Sequence, residues 1–93
     1  MKSVTRIAFM GGEQDGLYWI ATLDLLRPDQ LTEEQAPRYL VCLETNQAPY
    51  GMRSSRDVAG TVHEALAALG RRCEYEGVPT QAVLDGFRKQ LSS

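Results

Sequence analysis

Gly11-Gly12-Glu13-Gln14-Asp15-Gly16 separates two apolar-patterned runs, and the reading of this stretch decides the fold. Upstream lies Val4 to Met10. Downstream, Leu17 to Leu25 sets Leu17, Trp19, Ala21, Leu23 and Leu25 at alternate positions, on one face of a strand. Six residues rich in Gly and Asp between two such runs predict a β-hairpin connection. A sheet therefore opens the chain, and the residues that follow must cover it.

In the first run Thr5, Ile7 and Phe9 fall on one face and Val4, Arg6, Ala8 and Met10 on the other. The far face of the second run (Tyr18, Ile20, Thr22, Asp24) is half apolar, the composition of a partly covered or contacting surface. Arg27 to Pro37 reads as an acidic connector. Its Thr32 and Gln35 make a capping-box pattern, and Pro37 stops the turn they open. Tyr39 to Thr45 is a third strand, apolar on both faces as a central strand is. Asn46 to Arg53 reads as a loop or irregular edge, because Pro49 is excluded from a sheet interior.

From Val58 onward, Val58, Val62, Ala65, Leu66, Leu69 and Cys73 keep a 3.6-residue period, with Ser54 and Asp57 as the expected cap. Gly70 either ends this helix or weakens it by about 1 kcal/mol relative to Ala. Gly77 before Pro79 is a second stop. Thr80 to Leu91 then groups Val83, Leu84, Phe87 and Leu91, with Arg88 and Lys89 suiting the dipole of its last turn. The fold class is α+β: a three-stranded, mainly antiparallel sheet (the N-terminal hairpin plus a third strand) covered on one face by two C-terminal helices. Residues 1–93 make a single compact domain.

A hydrophobic fraction of 43% is ample for a core, and a net charge of −2 argues against a general nucleic-acid or membrane-surface binder. No stretch approaches the roughly 18 uncharged apolar residues needed to cross a bilayer. Arg6 breaks any apolar core of a secretory signal, so a cytoplasmic location with Cys42 and Cys73 reduced is expected.

Reactive groups are sparse. His63 stands ten residues from Cys73 on one helix, about 15 Å along the axis and outside proton-transfer reach. Cys42 could approach it only through tertiary packing. No Cys-x-x-Cys, His pair or calcium loop appears, so neither metal nor cofactor is expected. Glu33-Glu34 and Glu74-x-Glu76 read as solvated surface charge. Gly11 to Gly16 lacks the Lys and Ser/Thr of a phosphate loop and continues as strand. No residue is assigned a catalytic role.

One segment remains. Tyr50, Met52, Arg53, Ser54, Ser55 and Arg56 lead into the long helix, where guanidiniums, hydroxyls and helix N–H groups suit an anion or an acidic patch on a partner. Tyr18 and Ile20 are interface candidates, Tyr and Arg being common anchors of protein contacts. The expected function is that of a small non-enzymatic binding protein: an inhibitor, adaptor or regulator of a larger protein partner. Self-association through a sheet edge fits the same features. One alternative is a nucleic-acid accessory role through Arg53, Arg56, Arg71 and Arg72. Another is a small enzyme or enzyme subunit using His63.

Overall fold

A computed structural model of the chain describes residues 2–28, 38–46 and 51–92. Strands β1 (Lys2–Gln14) and β2 (Leu17–Pro28) form the expected antiparallel hairpin, but its turn is tighter than the six residues read from the sequence. Only Asp15 and Gly16 lie between the strands, with φ of 52° and 86°. An Asp-Gly pair with both φ positive twists as the flanking strands do. Gly11 to Gln14 instead continue β1 and pair with Ile20 to Leu17. Gly12 is there for packing: a Cβ at this position would overlap the indole of Trp19, which lies across it.

Strand β3 (Arg38–Asn46) pairs antiparallel with β2, and β4 (Met52–Ala59) pairs antiparallel with β3. The sheet therefore has four strands in the order β1-β2-β3-β4, not three. Strand β4 alternates Arg53, Ser55 and Asp57 with Ser54 and Arg56, so no apolar stripe announces it. Backbone pairing with β3 holds it in place, and charge along an edge discourages pairing with other chains. The turn expected from Thr32 to Gln35, and the segment holding Pro49 and Tyr50, lie outside the described residues.

A bulge at Ile7 breaks the alternation of β1. Arg6 stands opposite Asp24, whereas Ala8 stands opposite Leu23. One extra residue exchanges the faces beyond it. Ala8 and Met10 thus face the core with Ala21 and Leu23, and Phe9 joins Arg6 on the other side. The uniform alternation expected from the sequence would have kept Phe9 and Arg6 apart.

Ala8, Trp19, Ala21, Leu23, Val41, Leu43 and Thr45 are the buried positions of one sheet face. Helix α1 (Val62–Glu76) lies against β3 and β4, helix α2 (Thr80–Leu91) lies against β1, and the two helices touch. Ala65, Leu69, Cys73, Val83, Leu84 and Phe87 from the helices complete the same core cluster. Helix α1 runs through Gly70, where a Cβ would meet Leu84 Cδ1 at 3.4 Å across the close approach of α2.

Helix α1 is capped seven residues later than the expected Ser54. Its N-cap is Thr61, whose Oγ1 accepts the Glu64 N–H at 3.1 Å while Glu64 Oε2 accepts the Gly60 N–H at 3.3 Å. Ser54 and Asp57, read as the cap, are strand residues. At the other end Gly77 adopts φ 77°. Val78 N–H donates to the Cys73 carbonyl at 2.9 Å and Gly77 N–H to the Glu74 carbonyl at 3.4 Å, a Schellman closure. No helix among the described residues is long and apolar enough to cross a membrane.

Candidate functional site

No helix or strand among the described residues lies on the second face of the sheet. Pairing sets Phe9, Thr22, Cys42 and Arg56 in one row across it, and Arg6, Asp24, Leu40 and Val58 in the next. Ile20, Glu44 and Ser54 make a third. A solvated face of an antiparallel sheet ordinarily carries the polar half of each strand's alternation. Here apolar and polar side chains are mixed, and Phe9, Tyr18, Ile20, Met52 and Val58 are each between 41% and 62% exposed.

The middle of this face is nonetheless sheltered. Thr22 and Asp24 are only 8% and 6% exposed. Arg6 Nε stands 3.1 Å from Asp24 Oδ1, and that partner offsets the cost of holding a carboxylate away from water. A shallow hollow of about 440 Å³ lies among Phe9, Ile20, Leu40, Cys42, Glu44 and Arg56. Arg56 and Glu44 have no ion-pair partner among the described residues.

The expected segment from Tyr50 to Arg56 does not act as one unit. Tyr50 lies outside the described residues, and β4 divides the rest between two faces. Met52, Ser54 and Arg56 share the open face with Tyr18 and Ile20, and Ser54 Oγ is 3.8 Å from Cys42 Sγ. Arg53 and half-buried Ser55 turn toward the helices. Arg53 Nε approaches Glu76 Oε1 to 3.3 Å, an ion pair whose N–H is not aligned with the oxygen, and the guanidinium lies 5.8 Å from the Tyr75 ring centroid. With α1 starting at Val62, neither arginine flanks a helix N-terminus.

Glu76 is buried, whereas its sequence reads as solvated surface charge. Its side chain is 2% exposed, not solvated, and sits at the helix C-terminus, where the dipole disfavours a negative charge. Arg53 supplies the compensating cation. Arg72 likewise reaches Asp57 on β4 at 3.1 Å, and the hydrogen bond and charge of Asp57 raise the guanidinium's pKa. Two of the four arginines considered for nucleic acid thus tie β4 to α1, and Arg56 lies across the sheet from Arg71.

His63 is exposed beside the groove between α1 and α2, and the sheet separates it from Cys42. Both thiols are free. Burial pushes the Cys73 thiol up to about 11, with the charge of Glu74 adding to the effect. Among the described residues no three His, Cys, Asp or Glu side chains gather as metal ligands would.

The edges of the sheet differ from its open face. On β1 the Gln90 side chain closes on the backbone of Phe9: the Phe9 N–H donates to Oε1 at 3.0 Å, and Nε2 donates to the Phe9 carbonyl at 2.9 Å. Sequence reasoning found Tyr18 and Ile20 but missed Phe9, Arg6 and Glu44. The bulge hides the first two, and the third becomes part of the face only through its pairing opposite Ile20. No protein-family model matches the chain, and no curated protein or solved structure matches it either.

Proposed function

We propose that this chain is a small non-enzymatic binding domain, an inhibitor, adaptor or regulator, that acts through protein–protein contact made by the open face of its sheet. One observation carries the reading: Phe9, Tyr18, Ile20, Met52 and Val58 remain exposed on a face whose centre is already sheltered. Exposed apolar groups gathered this way mark contact surfaces, whereas scattered ones do not. Tyr18 is the expected anchor, pairing a large apolar ring with a polar tip at little conformational cost. We place this role in the cytoplasm, with both thiols reduced.

The test is crosslinking in cells of the source. A benzophenone side chain replaces Tyr18 on the open face or, as the control, Gln81 on the exposed side of α2. The expected result is discrete adducts from position 18 that disappear when Ile20→Glu is added, with none from position 81. Adducts from position 81 alone, or adducts from position 18 that survive Ile20→Glu, would overturn the reading.

A further inference from the structure

We infer that the occupant of the open face is the same face of a second copy of this chain, with Arg56 of each copy lying over Glu44 of the other. The inference rests on the reading that this face is the contact surface, and it adds the identity of the partner.

Charge is the first argument. An isologous contact requires a surface complementary to itself. Arg6 and Asp24 satisfy one another, and of the face's charges without an ion pair among the described residues, Arg38 and Glu13 stand at its two ends and Arg56 and Glu44 in its middle. Arg56 stands opposite Cys42, two residues before Glu44 on β3, so the two charges are diagonal neighbours that do not reach each other. A two-fold axis lying between the faces, and passing midway between these residues, exchanges them. Each guanidinium then meets the other copy's carboxylate.

Area is the second. Four strands about 4.8 Å apart and some eight residues long present roughly 500 Å² in projection. Side-chain relief adds to this, which brings the face to the lower end of the roughly 600–1,000 Å² per partner of specific interfaces. A small interface of this kind makes a reversible dimer, not an obligate one. The edges of the sheet offer less to a second copy. Gln90 occupies the backbone groups of Phe9 on β1, and β4 carries Arg53, Arg56 and Asp57 along its length.

Sedimentation equilibrium of the purified chain through the micromolar range tests this. The expected mass rises from one chain toward two with concentration. Arg56→Glu and Glu44→Arg each weaken the dimer by about tenfold or more, because each places like charges face to face. Mixing the two variants restores association, since every contact in the mixed dimer is again of opposite sign. Thermal unfolding of each variant checks that the substitutions, at exposed Arg56 and half-buried Glu44, leave the fold intact. A wild-type mass of one chain at every concentration overturns the second copy as occupant, and so does a mixture that stays dissociated. Crosslinks from position 18 to a different protein would then leave the contact face standing, and their absence would remove both claims.

Discussion

Gly12 shows how far one missing carbon reaches. The indole of Trp19 lies against its backbone where a side chain would stand, and Trp19 is itself part of the core. Gly12→Ala must therefore move either the ring or the strand. The expected cost is about 1–3 kcal/mol, typical of overpacking, read from urea unfolding together with a red shift of the single tryptophan's emission. Wild-type stability with unshifted emission would show that the ring has room to move. The sequence pointed the other way, because a glycine pair reads as loop. Nothing in Gly11-Gly12 says that the strand continues, since the reason for Gly12 lies on the partner strand. Glu76 misleads similarly: a carboxylate two residues from Glu74 looks solvated until Arg53 arrives from β4.

Among the elements, those with an apolar period were legible and those without were not. Strands β2 and β3 and helix α2 carry stripes that match their buried faces, and α2 spans the range read for it, Thr80 to Leu91. Strand β4 has no stripe, and its last outward residue, Val58, stands four before Val62, a helical spacing by coincidence. That spacing moved the start of α1 onto the strand and gathered Arg53 and Arg56 into one supposed loop, whereas β4 sends them to opposite faces. Tyr18 and Ile20 were legible because β2 alternates without a bulge. The revised helix start is testable. Thr61→Ala removes the hydroxyl that accepts the Glu64 N–H and is expected to cost about 1 kcal/mol. Ser54→Ala, at the cap expected from the sequence, should stay within about 0.5 kcal/mol of wild type. The denaturant midpoints of the two variants compare them directly, and equal shifts would return the cap to Ser54.

The whole molecule is a two-layer slab, 46 × 29 × 18 Å, with a radius of gyration of 14.0 Å. That exceeds the roughly 12 Å of an average domain this long, as a single core layer requires. Global stability then leans on few buried groups, and Cys73 makes it sensitive to alkali. The folded thiol titrates near 11 against 9.0 for a free one. Between those values the unfolded chain holds fewer protons, so this contribution is complete below about pH 9 and lost as pH rises toward 11. Thermal unfolding from about pH 8 to about 10.5 is expected to show a steeper decline for wild type than for Cys73→Ala. Parallel slopes would remove Cys73 as the cause. The Gln90 clamp on Phe9 bears on how such a slab is assembled, for its two ends are 81 residues apart in the chain. A ribosome delivers the first strand long before the residue that shields its rim. Throughout that interval the nascent hairpin offers bare amides to any neighbouring polypeptide, and early chaperone cover would matter most there.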